Sequence, residues 1–306
     1  MNDARAIINL GELSKPATVL VEKIAEGIGG IARPWQIKRV AEAQAEADKI
    51  HAVTQIEISE LQRRAMTRLF AEEARKQNNI ESITAKAIPQ LDANARPENV
   101  EDDWIANFFD KCRLISDEEM QKLWARVLSG EANSPGRFSK RTIALLASLD
   151  KSDAKMFSSL CRFTCSVGGQ LVPVITNYAN QVYANNGIDF VLLTHLEAIG
   201  LIRFNYTPKH VFSIDALAQE PVIDYFGQNI PMRFDSDTDN ELTVGQVLFT
   251  QAGEQLFSIS EAKGLDEFFN YLNTIWRRDG PLPPLQTEPL GGRIGGMRVN
   301  AIHKPV

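Results

Sequence analysis

The sequence predicts a mainly α-helical protein with a smaller α+β part: a long N-terminal helix, a compact helical domain and a winged-helix-like C-terminal module. Residues 36–88 contain neither Gly nor Pro, and apolar residues between 100 and 165 recur three or four positions apart, the period of a helix with one buried face. Short apolar runs typical of strands begin after Gly168 and Gly169. These three observations give the predicted order of helix, helical domain and mixed module.

The composition restricts the class of protein. The chain has 306 residues, 44% of them hydrophobic, and its 33 basic and 39 acidic residues give a net charge of −6. This balance excludes a disordered chain, a collagen-like repeat and a generally basic nucleic-acid coat. Changes in pattern divide the chain into five segments. They are an amphipathic N-terminal segment (1–35), a long helix expected to oligomerise (36–90), a helical core domain (100–167), the winged-helix-like module (168–277) and a flexible tail (278–306).

The N-terminal segment carries an apolar helical stripe within Ala17–Trp35, interrupted by Gly27, Gly29 and Gly30. Such a stripe can lie in a membrane interface if nothing covers it. Few basic residues flank it, so we expect constitutive membrane binding to be weak. The predicted membrane-contacting residues are Leu20, Val21, Ile24, Ile28 and Ile31.

The long helix is predicted from Gln36 to Ile88, between Pro34 and Pro89. At 1.5 Å per residue it would be about 80 Å long, which is too long to lie inside one compact domain. From Ala47 onward its apolar residues are spaced by about 3.67 on average, a spacing that favours a straight or slightly right-handed bundle. We therefore predict a homo-oligomer. The predicted oligomerisation residues are Ile50, Ile58, Leu61 and Leu69.

The helical core domain is predicted from buried faces and helix caps. Trp104 and Trp124 are each in phase with an apolar face, so we expect them to be core residues and not base-stacking platforms. Ser116 and Glu119 have the spacing of a capping box, and Gly130 is expected to end the helix so started. Two further helices are predicted. One follows Ser139, and the other runs from about Ser152 and includes Cys161 and Cys165.

The C-terminal module is predicted to contain a helix closed by Gly200, strands, and a last helix from about Leu265 to Trp276. The predicted strands are Leu201–Asn205, Val211–Ile214 and Gln246–Phe249. This order is typical of a winged helix. DNA binding is an alternative function for the module, but the helix that would enter the groove has no Arg or Lys for phosphate contacts.

Four stretches of the core domain resemble a bacterial family catalogued as a domain of unknown function, number 2806. They are Asp103–Phe109, Ile115–Glu131, Pro135–Thr142 and Leu146–Ala154. A looser resemblance, to abortive-infection alpha proteins, lies in the L-W-A run and the glycine-containing segment before it. That second resemblance implies a role in defence against bacteriophage. Neither family supplies catalytic residues to transfer.

No motif in the chain predicts a catalytic centre, and we expect neither a cofactor nor a metal site. Gly27-Ile28-Gly29-Gly30 lacks the preceding strand and the Lys-Ser/Thr of a phosphate loop. Cys161 and Cys165 lie four apart but have no second ligand pair. The four histidines show no acidic partner in the sequence, and His195 is expected to be half-buried or at a helix surface. One small basic patch could contact phosphate or a partner, namely Arg137, Lys140 and Arg141.

The three cysteines and the absence of a signal-peptide pattern predict a cytoplasmic protein, with the inner-membrane surface as an alternative. The leading hypothesis is a non-enzymatic, homo-oligomeric protein that acts in phage defence as sensor, scaffold or effector. Its partners would be further copies and a phage-derived or neighbouring-gene protein. A DNA-binding regulator and a membrane-perturbing effector are the alternatives, and nucleic acid is left open as a partner. Enzymatic activity is also left open, with no residues to nominate.

Overall fold

The computed structural model describes residues 13–29, 59–205, 210–214, 223–230, 240–276, 291–294 and 297–301. The chain divides into two compact units, Met1–Ser148 and Leu149–Val306. The first is helical where it is described, and the second combines helices with antiparallel sheets. The predicted fold class, mainly α with a smaller α+β part, is confirmed.

The first unit is built from five described helices. They are α1 (Lys15–Ile28), α2 (Glu60–Ala87), α3 (Asp102–Cys112), α4 (Glu118–Asn133) and α5 (Lys140–Ser148), with 3-10 turns at Ile88–Gln90 and Pro97–Asn99. The C-terminal half of α2 packs on α4, while α1 and α5 both pack on α3. Phe108 lies between two indoles, with its ring centroid 5.0 Å from that of Trp104 and 5.2 Å from that of Trp124. Both tryptophans are therefore core residues, as predicted.

The prediction of one continuous helix from Gln36 to Ile88 is wrong, because a helix begins after Ser59. Ser59 has an extended backbone (φ −62°, ψ 155°) and caps α2, with its hydroxyl accepting from the Gln62 N–H. The Gln62 side chain in turn accepts from the Ser59 N–H at 2.9 Å. This capping box starts a new helix without any Gly or Pro. Residues 36–58, with Ile50 and Ile58, lie outside the described residues.

Two helix ends in the first unit also differ from the prediction. The N-cap of α4 is Asp117, whose carboxylate accepts from the N–H groups of Glu119 and Met120, both at 3.0 Å. A carboxylate is a stronger cap than a hydroxyl beside the positive end of the helix dipole. Gly130 does not end α4, which continues to Asn133. A Cβ at Gly130 would lie 2.9 Å from the Phe138 ring, so glycine is there to admit that ring.

The second unit contains five described helices and ten short strands. The helices are α6 (Lys151–Cys161), α7 (Gln181–Ala184), α8 (Phe190–Ala198), α9 (Gln251–Phe257) and α10 (Asp266–Trp276). The strands are β1 (Thr164–Val167), β2 (Gln170–Pro173), β3 (Ile202–Phe204), β4 (His210–Ile214), β5 (Ile223–Tyr225), β6 (Gln228–Ile230), β7 (Asn240–Gly245), β8 (Val247–Phe249), β9 (Gly291–Ile294) and β10 (Met297–Ala301). The three predicted strands correspond to β3, β4 and β8. The last predicted helix corresponds to α10.

The strands form three antiparallel sheets. Their orders are β2-β1-β5-β6, β7-β4-β10-β9 and β3-β8. Strand β3, which pairs antiparallel with β8, follows α8, and α8 ends before Gly200 (φ 85°) as predicted. Strands β9 and β10 lie inside the segment 278–306, where a flexible tail was predicted. The Gly295-Gly296 pair between them is a hairpin signal in the sequence.

The helix predicted to include Cys165 ends earlier, at Cys161. Cys165 lies on β1, opposite Val172 of β2. Gly168 and Gly169, both with positive φ, connect these two strands and supply the conformation that a two-residue hairpin turn needs. The two cysteines therefore do not share a helix face, and the i, i+4 metal-ligand geometry considered for them is wrong.

Candidate functional site

The most exposed part of the described structure is the N-terminal portion of α2. From Glu60 to Asn78 no residue is buried, and the first buried residue of this helix is Asn79. Ion pairs along the helix support this portion. Arg63 lies 2.7 Å from Glu60, and Lys76 lies 2.6 Å from Glu73. These exposed pairs lie three residues apart, a spacing that favours helix.

Four apolar side chains lie on one side of this exposed portion, and we call them the α2 stripe. They are Leu61, Ala65, Met66 and Leu69. Leu61 and Leu69 keep 69% and 54% of their surface exposed, which is high for leucine. Phe70, next to the stripe, is also exposed.

The α2 stripe continues the buried face of the same helix. Leu61 and Asn79 are 18 residues apart, about five turns at 3.6 residues per turn, and so lie on one side of the helix. The same interval relates Ala65 to Ile83. Asn79 and Ile83 are buried in the first unit. Among the described residues, one helix face is therefore covered at its C-terminal end and exposed at its N-terminal end.

A buried polar network holds α2 against the turn between α3 and α4. Asn79 donates through Nδ2 to the Ser116 hydroxyl at 3.1 Å, and Gln121 donates to the Asn79 side-chain oxygen at 3.3 Å. The Gln121 side-chain oxygen also accepts from Ser82 at 2.7 Å and from Lys86 at 3.0 Å. Since buried polar groups are costly unless paired, this network defines the position of α2 on the unit.

The structure places the predicted oligomerisation residues unevenly. Leu61 and Leu69 lie on the α2 stripe and are exposed. Ile50 and Ile58 lie outside the described residues. Ala65 belongs to the apolar spacing traced in the sequence, whereas sequence analysis did not single out Met66, which lies three positions before Leu69.

The predicted basic patch joins a loop, which carries Arg137, to the first turn of α5, which carries Lys140 and Arg141. A buried acid organises this loop. The Glu131 carboxylate accepts from the backbone N–H of Gly136 at 2.6 Å and from that of Phe138 at 2.8 Å. Burial raises the pKa of Glu131, although these N–H groups act in the opposite direction. Sequence reasoning missed this residue, whose only sequence signal is an acid at a helix end followed by a Pro-Gly turn.

The three basic residues of the patch have different surroundings. The Arg137 guanidinium lies 5.6 Å from the centroid of the Phe138 ring, in a cation–π arrangement. The Lys140 ammonium lies 3.6 Å from Asp103, which balances part of its charge. Arg141 is exposed. All three are surface residues, and none of their contacts by itself defines an anion site.

The predicted membrane stripe belongs largely to the core. Leu20, Val21 and Ile24 are buried in the first unit, where α1 packs on α3. Ile28 is half-buried, and Ile31 lies outside the described residues. These side chains could meet lipid only if α1 left the unit. In the part of the chain that the structure describes, no helix is both long and apolar enough to cross a membrane.

His195 has an acidic partner that sequence analysis did not find. Its Nε2 lies 2.7 Å from Oδ1 of Asp153, which joins α8 to α6. Burial raises the pKa of Asp153, but the Asp150 N–H and His195 outweigh it, so that this pKa is lowered. The two residues are 42 positions apart, so no local spacing could reveal the pair. His195 itself is half-exposed, as expected.

The three cysteines show no catalytic arrangement. Cys112, Cys161 and Cys165 are buried free thiols, and burial raises the pKa of each. Among the described residues, no three His, Cys, Asp or Glu side chains are grouped closely enough to hold a metal ion. Helix α8 is the helix that would enter the DNA groove in the alternative function of the module, and it exposes two apolar residues, Phe190 and Val191, at its start.

Comparison with known proteins places most of the chain in one family. A family model described as "Protein of unknown function (DUF2806)" matches residues 63–273, which are 211 of the 306 residues. The matched range begins inside α2 and ends inside α10. It contains all four stretches on which the resemblance was based, so that resemblance is confirmed. No curated protein and no solved structure matches the chain.

Proposed function

The chain belongs to the DUF2806 family, and we propose that this member is a non-enzymatic assembly protein that associates through the α2 stripe. The observation that carries the proposal is the exposure of Leu61, Met66 and Leu69 on a helix face whose other end is buried. Contiguous exposed apolar side chains on a helix mark a contact site for another protein.

Energetic considerations support this assignment. Burying a leucine side chain stabilises a complex by about 1.5–3 kcal/mol, and a self-associating stripe buries each leucine once per copy. The anchoring network around Asn79 and Gln121 fixes the direction in which the stripe is presented. Pre-organisation of this kind reduces the entropy lost on association.

The test is light scattering coupled to size exclusion at micromolar concentration. We expect the intact chain to show at least twice its chain mass of 34.1 kDa, and Leu61→Ser/Leu69→Ser to show the mass of one chain. The matched control is Leu114→Ser, because Leu114 lies in the same unit and is similarly exposed, at 63%. A monomeric intact chain, or equal loss of assembly in the control, would contradict the proposal.

We propose phage defence as the biological setting of this assembly, and cytoplasm as its compartment. The support is the resemblance to abortive-infection alpha proteins in the L-W-A run, which is Leu123-Trp124-Ala125 here. We expect cells that express the intact chain to reduce phage plating, and the Leu61→Ser/Leu69→Ser variant to lose this protection. Equal plating on both strains, across a varied phage panel, would reject an assembly-dependent defence role.

The membrane alternative could be tested by deleting Ala17–Trp35, the segment that carries the predicted membrane stripe, but the surface substitutions are a better probe of function. Leu20, Val21 and Ile24 are core residues, so the deletion would remove most of α1 and its packing on α3. Loss of protection on deletion would then report loss of folding as well as loss of a membrane contact.

A further inference from the structure

We infer that the α2 stripe pairs with the same stripe of a second copy in antiparallel orientation, around a twofold axis near Arg68 and Leu69. This inference rests on the proposed function and specifies its partner and geometry. Three observations carry it: the continuity of α2, the covered half of its face, and the distribution of charge along the exposed half.

The continuity of α2 restricts how a second copy can approach. The helix runs unbroken from Glu60 to Ala87, and α4 covers its face from Asn79 onward. A parallel partner lying in register on the stripe would direct its own residues 79–87 into the space that α4 occupies. An antiparallel partner directs those residues past Ser59, away from α4. The covered half therefore excludes the parallel arrangement in register.

The charges of the exposed half favour the same orientation. Three arginines, Arg63, Arg64 and Arg68, lie in its first turns, and Glu72 and Glu73 follow them. Parallel pairing would place arginine beside arginine. Antiparallel pairing about an axis near Leu69 places Arg63 and Arg64 of one copy alongside Glu72 and Glu73 of the other, and opposite charges flanking an apolar seam set helix orientation.

Arg63 pairs with Glu60 and Glu73 with Lys76 on the same helix, and these exposed pairs can exchange for contacts with a second copy because such pairs contribute little to stability. Arg64 has no ion pair within the described ranges, and Arg68 lies a loose 3.8 Å from Glu72 of its own helix. Both Glu72 and Glu73 lie close to the stripe by helical phase, because each is three or four positions from Leu69. A twofold axis near Leu69 makes the contact isologous, so that one surface serves both copies and the assembly closes as a dimer.

Cysteine crosslinking tests the orientation. Gln62→Cys and Glu73→Cys are prepared as separate full-length chains, one of them tagged, then mixed and treated with a short bis-maleimide. The native thiols are buried and do not compete. We expect the mixed crosslink between Gln62→Cys and Glu73→Cys chains to predominate over both self-crosslinks. Loss of this product on adding Leu69→Ser to both chains would tie it to the stripe.

The outcomes separate this inference from the proposed function. Predominant self-crosslinks at both positions, from a chain that light scattering shows to be dimeric, would overturn the antiparallel arrangement and leave assembly through α2 standing. A dimer whose mixed crosslink persists with Leu69→Ser would also overturn the inference. A monomeric intact chain would remove the proposed function and the inference together.

Discussion

The buried carboxylate of Glu131 accepts a hydrogen bond from the backbone N–H of Phe138, with 2.8 Å between oxygen and nitrogen. A second bond, from the Gly136 N–H, uses the other carboxylate oxygen. On the opposite side of the loop, Trp104 Nε1 donates to the Phe138 carbonyl at 2.7 Å. One acid and one indole therefore fix the loop that carries Arg137.

Replacement of Glu131 should destabilise the first unit. In Glu131→Ala, two backbone N–H groups lose a charged acceptor in a buried place, which costs about 2–3 kcal/mol. Urea unfolding followed by tryptophan fluorescence measures the change, since Trp104 and Trp124 both lie in this unit. Glu98→Ala, at an exposed position, is the control and should be near neutral. An equally small effect in Glu131→Ala would show that the loop does not depend on this acid.

The anchoring network should be sensitive to single substitutions. Asn79→Ala removes the acceptor of the Gln121 amide and the donor to Ser116, so we expect a loss of about 2 kcal/mol. Hydrogen exchange should speed up in α2 at the same time. Asn78→Ala, one position away and exposed, is the matched control. Unchanged exchange in α2 with Asn79→Ala would mean that apolar packing alone positions the helix.

Much of the helical architecture could be predicted, because the spacing of apolar residues along one face of a helix can be read from a short stretch of sequence. Trp104 and Phe108 lie four positions apart on α3, Trp124 lies four positions from Met120 and Leu128 on α4, and all are buried. The helix ends were less predictable, because several residues compete to cap one helix. Asp117 lies next to Ser116, and both can cap a helix. Asp117 caps α4, whereas the Ser116 hydroxyl accepts a hydrogen bond from Asn79, a contact that is visible only in the three-dimensional structure.

The surroundings of the candidate site residues could not be predicted, because they depend on contacts between residues that are far apart in the sequence. Leu20 and Leu61 both belong to apolar stripes in the sequence, yet one is buried and the other exposed. The difference arises because α3 covers α1, whereas the described unit does not extend to the first turns of α2. The pairing of His195 with Asp153 has the same origin, since packing of α8 on α6 brings the two together.

The Asp153–His195 pair should make stability depend on pH in the acid range. The pKa of Asp153 is lowered in the folded chain, so its stabilising contribution is present above the unfolded value of about 3.9 and is lost as pH falls through the folded value. Asp153→Asn should lose about 1–2 kcal/mol at pH 7 and show a flatter stability profile below about pH 5. Urea unfolding across this range measures both.

The control for this pair is Asp110→Asn, which removes only exposed ion pairs with Lys111 and Arg113. Such pairs contribute little, so its profile should follow that of the intact chain. If Asp153→Asn kept the slope of the intact chain, the acid dependence would have to come from other carboxylates.

Gly245 and Gly227 provide a matched pair for separating backbone strain from steric collision. Both have positive φ, 111° and 84°, and alanine at either should cost about 1–2 kcal/mol through strain alone. A Cβ at Gly227 meets nothing within 4 Å, whereas one at Gly245 would collide with the Ile175 carbonyl oxygen. That oxygen is held in place, since it accepts from the Gln246 N–H at 2.8 Å.

Because the collision adds to the strain, Gly245→Ala should cost about 3 kcal/mol or more, since overpacking a fixed contact adds about 1–3 kcal/mol. Thermal unfolding of the two variants, followed by circular dichroism, measures the difference. The collision would also separate Gly245 from Ile175 and so weaken the bridge that joins them. Equal destabilisation by both substitutions would mean that the backbone around Ile175 yields, and that Gly245 is required for its φ alone.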